Sequence, residues 1–187
     1  TRDIYIDPNF GNLFDIKLKY YKGINNTKDV IDLDLKYKKF FSFNFFSDPV
    51  LSIGTALSIK LPEFKNLPLY FYEYLGGEDY VRGYSSFPSD VPDNINRMIE
   101  TSNINYYNIE LQNTIIKRRD YGQLELGIDG FLFFDLGFSS NNYNSFRLKN
   151  NISGYGFGLK FFISSTAISL SIGFNPYDQY FYHVKDQ

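Results

Sequence analysis

The stretch Leu-Glu-Leu-Gly-Ile-Asp-Gly-Phe-Leu-Phe-Phe-Asp-Leu-Gly-Phe, residues 124–138, largely alternates apolar side chains with polar residues or glycine. One parity is almost entirely leucine, isoleucine and phenylalanine, and the other holds Glu125, Asp129 and Asp135. Successive side chains of a β-strand point to opposite faces, so a period of two gives one apolar and one polar face. The stretch also exceeds the ~9–11 residues that a tilted strand needs to cross a bilayer. It therefore predicts a long, two-faced β-strand.

Seven further runs show the same alternation. They lie at residues 14–21, 31–38, 51–60, 69–74, 107–115, 155–163 and 168–175. A short last strand around Tyr180, Tyr182 and Val184 would follow a turn at 175–178. Charges stand in the middle of the polar faces, whereas the apolar faces are continuous and rich in aromatic residues, which favours strands in a membrane. Soluble antiparallel sandwiches show the same alternation, so periodicity alone leaves both classes open.

The connections between these runs alternate in length along the chain. Short ones lie at 23–28, 62–68, 117–122 and 164–166, and long ones at 40–49, 75–101 and 139–150. Outer-membrane barrels have short periplasmic turns and long external loops, whereas a soluble sandwich has no reason to sort its loops. The sequence therefore predicts an all-β fold, a transmembrane antiparallel β-barrel of about 8–10 strands. We expect a single domain over residues 1–187, with a long external loop at about 75–101.

Composition narrows the classes of function. The 187 residues include 17 Tyr and 20 Phe but no Cys, and the net charge is −2. Mean hydropathy is −0.30, and no apolar run reaches the ~18 residues of a transmembrane helix. The charge gives no case for nucleic-acid binding, and disulfides and thiolate chemistry are impossible without cysteine. His183 is the only histidine, which argues against a serine or cysteine triad and against a histidine metal site. We expect no metal, no cofactor and no enzymatic activity.

The segment Gly76-Gly77-Glu78-Asp79-Tyr80-Val81-Arg82-Gly83-Tyr84 stands in the long loop and carries a lone arginine. Glu110 and Asp135 lie on the polar faces of the next two strands. If those faces point inward, the two carboxylates can hold the Arg82 guanidinium by charge-assisted hydrogen bonds. The alternative is a solvated loop arginine. Spacing alone favours that second interpretation, because most arginines are exposed.

An ordered set of motifs resembles the bacterial outer-membrane assembly and translocation superfamily of BamA, TamA and the two-partner-secretion transporters, also called surface antigen barrels. The set covers nearly the whole chain. It comprises an opening stretch at 1–11, Gly76-Gly77 with Val81-Arg82-Gly83-Tyr84, Glu110, Phe133-Phe134-Asp135-Leu136-Gly137 and the glycine-rich strand at 154–159. The resemblance implies that the loop folds into the lumen, where Glu110 and Asp135 grip Arg82. The implied structural motif is Gly76, Gly77, Val81, Arg82, Gly83, Tyr84, Glu110, Phe134, Asp135 and Gly137.

The same resemblance implies a role in assembling, inserting or translocating proteins at the bacterial outer membrane. Its expected partners are outer-membrane lipids or lipopolysaccharide, unfolded outer-membrane proteins, and a second copy or a partner subunit. The chain departs from the family pattern because it holds no periplasmic POTRA repeats and about half of the family's sixteen strands. It is then either the C-terminal half of a larger barrel or a compact member. The alternatives are the anchor barrel of a patatin-like lipase and a small structural or adhesin barrel.

Overall fold

A computed structural model describes residues 8–24, 27–44, 48–85, 100–122, 124–142, 151–176 and 180–186. Eight strands form one antiparallel sheet in chain order, and a two-stranded sheet formed by β4 and β5 lies between β3 and β6. The strands are β1 Gly11–Tyr21, β2 Val30–Ser42, β3 Val50–Leu61, β4 Glu73–Tyr74, β5 Glu100–Thr101, β6 Asn103–Tyr121, β7 Leu124–Ser140, β8 Asn151–Ile163, β9 Thr166–Phe174 and β10 Tyr180–Asp186. The predicted all-β, antiparallel architecture is confirmed.

The described residues do not show the sheet closed into a barrel. Each strand of the large sheet pairs with its neighbour in the order β1-β2-β3-β6-β7-β8-β9-β10. Within the described ranges β1 and β10 do not pair, so the sheet is open and has two edges. The closed barrel therefore stays a prediction.

One predicted strand is wrong. The sequence predicts a strand at residues 69–74, but Leu69–Phe71 forms a short 3-10 helix and only Glu73–Tyr74 is extended. The six residues Leu-Tyr-Phe-Tyr-Glu-Tyr contain a single charge and no regular polar parity, so they cannot present the two faces that a sheet strand needs. β10 takes the remaining place in the sheet instead.

Losing that strand changes which connections share an end of the sheet. The connections at 22–29, 62–102, 141–150 and 175–179 lie at one end, called here the loop end. Those at 43–49, 122–123 and 164–165 lie at the other, called the turn end. The sequence placed 40–49 on the same side as 75–101, and the structure places it opposite. The two-residue connections at 122–123 and 164–165 are nevertheless much shorter than the excursion at 62–102.

The two faces of the sheet differ in the way that alternation predicts. On β7, Leu132 is 59% exposed and Phe134 is 45% exposed, whereas Asp129 and Asp135 on the other parity are buried. The exposed face continues across the sheet with Ile53, Ile109, Leu111, Tyr155, Phe157, Leu159 and Leu170. Apolar side chains outside and polar side chains inside is the arrangement of strands in lipid.

A segment of the excursion between β3 and β6 covers one end of the polar face. Leu75, Val81 and Tyr84 of this segment are fully buried and pack with Ile104 and Ile152 of the sheet. This small apolar cluster lies at the loop end. It holds the segment against the sheet and so positions the arginine that follows Val81.

No described helix has the length and apolar character that crossing a membrane would require.

Candidate functional site

A tight turn at Leu75–Val81 aims Arg82 at the sheet. The Val81 N–H donates to the Leu75 carbonyl at 3.0 Å, and the Gly77 N–H donates to the Val81 carbonyl at 3.2 Å. Gly76 and Val81 also form an isolated parallel bridge. Gly77 has a φ of 98°, in the region that favours glycine. The two glycines close the turn, and the buried Val81 fixes its base.

Arg82 meets Asp135 through a bidentate ion pair. Its Nε donates to Asp135 Oδ2 at 2.8 Å, and one terminal nitrogen donates to Oδ1 at 3.0 Å. The Arg82 backbone N–H also donates to Oδ2, at 3.1 Å. Parallel guanidinium–carboxylate bonds are among the strongest and most directional in proteins. The loop is therefore attached to β7 through both its backbone and its side chain.

Asp135 is completely buried and its charge is fully compensated by donors. Besides Arg82, the Tyr106 hydroxyl donates to Oδ1 at 3.0 Å and Asn108 Nδ2 donates to it at 2.6 Å. Both donors lie on β6, directly across the ladder from the end of β7. A buried carboxylate tolerates loss of water only when hydrogen bonds replace it. β6 thus supplies the second half of the Asp135 environment.

Glu110 holds the remaining terminal nitrogen of Arg82. The Arg82 nitrogen donates to Glu110 Oε2 at 3.1 Å, and both side chains are largely buried. Burial lowers the pKa of the Arg82 guanidinium, but hydrogen bonding and charge from Asp135, and then the charge of Glu110, outweigh it and leave the pKa above its usual value. Arg82, Glu110 and Asp135 are called the clasp below. At any physiological pH the arginine in the clasp is charged.

Phe133, not Phe134, supplies the aromatic surface of the site. The Arg82 guanidinium carbon lies 3.5 Å from the centre of the Phe133 ring, a cation–π stack. Phe134 is exposed on the opposite face of β7, so its inclusion in the predicted motif was one residue off. The reason is the strand period: the residue that shares a face with Asp135 is two positions before it.

Close backbone approach brings the loop onto β8 and β9. Gly83 has a φ of 99°, and its carbonyl accepts a hydrogen bond from Asn175 Nδ2 at 2.5 Å. A Cβ added at Gly154 would collide with the Arg82 carbonyl oxygen, and one added at Gly173 would collide with the Gly83 nitrogen. These two sheet glycines are the floor on which the loop lies.

The other glycines of β8 accommodate aromatic rings. Phe133 pairs with Gly156 and Phe131 with Gly158 across the ladder, and a Cβ at either glycine would collide with the opposing ring. The Phe133 ring therefore lies between the backbone of Gly156 and the guanidinium of Arg82. Gly137 similarly leaves space nearer the loop end of β7, because a Cβ there would meet Leu75 and Val81 at 2.6 and 2.7 Å.

The model of the Omp85 superfamily domain matches residues 1–183 of this sequence. The chain belongs to the Omp85 superfamily. The resemblance read from the motifs is therefore confirmed, and members of this superfamily are bacterial outer-membrane proteins. No curated protein matches the chain.

The structure of this Omp85 superfamily domain brings Gly76, Gly77, Val81, Arg82, Gly83, Tyr84, Glu110, Asp135 and Gly137 to one end of the polar face, and leaves only Phe134 outside. Sequence reasoning missed Phe133, Tyr106, Asn108, Gly173 and Asn175. The first three share the parity of Asp135 or Glu110, a signal that was available. Gly173 and Asn175 touch the loop only because β9 lies two strands from β7.

The chemistry of the clasp is that of a brace. Every charge in it has an opposite charge or a hydrogen-bond donor within 3.1 Å. Among the described side chains, no group of three or more histidine, aspartate or glutamate residues is arranged to hold a metal ion. These residues thus attach the excursion to the sheet of the Omp85 superfamily domain.

Proposed function

We propose that this Omp85 superfamily domain forms a section of a β-barrel wall in the bacterial outer membrane and acts in assembling, inserting or translocating other proteins there. The observation that carries the proposal is the clasp, in which Arg82 from the 62–102 excursion is bound to Asp135 and Glu110 on two adjacent strands. A buried ion pair of this kind costs several kcal/mol when one partner is lost, roughly 3–5. The excursion is therefore anchored on the polar face.

The clasp attaches the excursion to some strands of the sheet and not to others. It ties the loop to β6 and β7, and Gly83 extends the attachment to β9 through Asn175. Among the described residues, β1 and β2 form no direct ion pair with the excursion. Their contacts with it are the Tyr21 and Phe71 rings, 4.9 Å apart, and the pairing of Asp32 with Lys60, which binds Glu73. A wall that inserts or translocates other chains needs a rigid region that keeps its shape while another region yields. We assign the rigid region to β6–β9.

The exposed apolar face supports contact with outer-membrane lipids or lipopolysaccharide. Its leucine, isoleucine and aromatic side chains would be unfavourable in water over so wide a surface. Among the described residues, β1 and β10 each pair with only one neighbouring strand, and the free N–H and C=O groups of a sheet edge cannot face hydrocarbon. In a membrane these edges pair with each other or with strands of a second copy or a partner subunit. An unfolded outer-membrane protein offers the same strand chemistry as a substrate.

Membrane insertion is the first test. The chain is folded into phospholipid vesicles and run on a gel with and without heating. Insertion as a barrel gives a band whose migration changes on boiling, and the strands become protected from protease. A chain that is monomeric and soluble without detergent would overturn the membrane assignment.

The second test measures assembly. Vesicles containing the chain receive an unfolded eight-stranded outer-membrane protein, and its folded fraction is followed by heat-modifiable migration. We expect faster folding than in vesicles without the chain, a loss of that gain with Arg82→Ala, and no change with Lys65→Ala, an exposed basic residue of the same excursion. An anchor barrel for a lipase or a purely structural barrel predicts no acceleration at all.

A further inference from the structure

The outer face of β6–β9 contains a hollow of about 430 Å³ near the turn end. The residues that line it are paired across neighbouring strands and so form rows. Ile116, Ile128, Phe161 and Ile168 stand opposite one another on four successive strands. The next row toward the turn end holds Leu126 and Ile163. A concave apolar surface of this size on the lipid-facing side is the shape that an acyl chain fills.

Two irregularities in β6 lie beside the hollow. The register shifts between Thr114 and Ile116 and again between Ile116 and Arg119, so β6 carries extra residues relative to β7. Bulges re-aim side chains, and here Arg118 turns inward, where its guanidinium carbon lies 3.8 Å from the centre of the Phe162 ring. The same shift places Arg119 opposite Leu126. Because directly paired residues share a face, Arg119 lies on the outer face beside the hollow.

The exposed charged residues beside the hollow are basic. Lys117 and Arg119 are exposed, and neither forms an ion pair with another described residue. The nearest acidic residues along the ladder, Asp120 and Glu125, pair with each other in the register position after Arg119, and so face the other side. Tyr121 follows, 60% exposed, as an aromatic residue does at a headgroup boundary. Apolar rows, then a cation, then a tyrosine is the order met on passing from hydrocarbon to headgroups.

We propose that this hollow is a binding site for one phospholipid with an anionic headgroup. An acyl chain lies along the row from Ile116 to Ile168, and Arg119, assisted by Lys117, binds the phosphate. The inference rests on the proposed insertion of the sheet into a membrane and adds a specific site to it. A cation near an anionic headgroup favours binding, and an arginine matches phosphate oxygens geometrically.

The test compares two lipids in one sample. The full chain is inserted into vesicles of equal parts phosphatidylglycerol and phosphatidylcholine, extracted in mild detergent, and weighed intact by native mass spectrometry. The wild type retains phosphatidylglycerol in preference to phosphatidylcholine. Arg119→Gln lowers that preference about fivefold, the effect of one basic residue at an anionic surface. The matched control Lys65→Gln, an exposed basic residue on the loop-end excursion, leaves it unchanged.

A second variant tests the apolar lining of the site. Ile128→Trp replaces an aliphatic side chain on the outer face with a bulky indole ring that fills the hollow. The retained amounts of both lipids therefore fall together, while the mobility shift on boiling is kept. Equal retention of the two lipids by the wild type, an Arg119→Gln variant that behaves as wild type, or a lipid-free dimer would overturn the site. Failure to insert would overturn the proposed function and this site with it, whereas insertion without headgroup preference overturns the site alone.

Discussion

The polar faces of β1–β2 and β7–β8 follow the same alternation but differ in what covers them. On β1 and β2, Lys17 pairs with Asp15 at 3.1 Å and Lys19 with Asp32 at 3.4 Å, and the two lysine side chains are 56% and 47% exposed. On β7, the Asp135 side chain is 0% exposed and lies beneath Arg82. The excursion between β3 and β6 binds the fully buried carboxylate of β7, whereas the lysines on β1 stay about half exposed, although Asp32 itself is buried and also lies 3.4 Å from the buried Lys60. The same alternation therefore produces ion pairs with an exposed partner in one region and a fully buried ion pair in the other.

Solvation makes the two regions energetically unequal. Exposed ion pairs contribute ~0–1 kcal/mol because water already stabilises their separate charges. Breaking a buried pair costs ~3–5 kcal/mol because one charge stays behind without a partner. The free energy of unfolding, measured by urea titration of the chain in lipid vesicles, can therefore separate the two regions.

Removing the carboxylate of Asp135 should lower the free energy of unfolding more than any other change considered for the two regions. Asp135→Ala leaves the buried Arg82 without its bidentate partner, and we expect a loss of ~3–5 kcal/mol in the free energy of unfolding. The excursion should also become sensitive to protease. The control Asp15→Ala acts on the exposed ladder and should cost ~1 kcal/mol or less. Equal effects of the two substitutions would show that the loop does not protect Asp135.

A methyl group added at Gly154 of β8 tests whether the excursion must lie so close to the sheet. Gly154→Ala pushes against the Arg82 carbonyl oxygen, and overpacking of this kind costs ~1–3 kcal/mol. Gly54→Ala is the matched control, because its Cβ would have 3.6 Å to the nearest neighbouring atom. We expect that control to stay within about 0.5 kcal/mol of the wild type. A neutral Gly154→Ala would contradict the close approach.

Two adjacent phenylalanines allow a sharper comparison of faces. Phe133→Leu removes the ring under the Arg82 guanidinium and should cost ~1–2 kcal/mol, the range for a desolvated cation–π contact. Phe134→Leu changes an outward ring and should leave the clasp intact. Protease protection of the excursion distinguishes them, and a larger effect of Phe134→Leu on that protection would reverse the assignment.

The smallest effect is expected at Lys19, because its buried partner Asp32 keeps a second cation, Lys60, at 3.4 Å. Lys19 lies 3.4 Å from Asp32 and 3.8 Å from Asp34 with a half-exposed side chain. Lys19→Ala should lower the free energy of unfolding by ~1 kcal/mol or less, and the difference from wild type should vanish in about 1 M salt, where the Debye length is ~3 Å. The Asp135→Ala effect should persist at that salt concentration. Salt-insensitive loss at Lys19 would mean that this face is covered as well.

Most of the strand framework could be predicted, because alternation is a local property of each run. The failures have physical causes. Residues 69–74 are aromatic on both parities and so lack a polar face, whereas the short last strand around Tyr180, Tyr182 and Val184 is present as β10. The bulges after Thr114 cannot be read from the sequence, because a register shift depends on how β7 pairs with β6. For that reason most of the short connection predicted at 117–122 lies inside β6.

The site divides in the same way. The parity of Glu110 and Asp135 identified two carboxylates on one face, and the order of the motifs identified the family. Whether Arg82 reached them depended on the path of the excursion at 62–102, which local spacing does not restrict. The choice between Phe133 and Phe134 needed only the strand period and could have been made correctly from the sequence.

The sequence by itself determined that this protein is an antiparallel sheet with an apolar and a polar face, since side-chain direction follows directly from the period of two. The tertiary structure alone decided which polar face is buried, because that depends on where a long segment folds back. It also decided that four strands share a hollow beside Arg119, because rows across a sheet exist only after the register between strands is set.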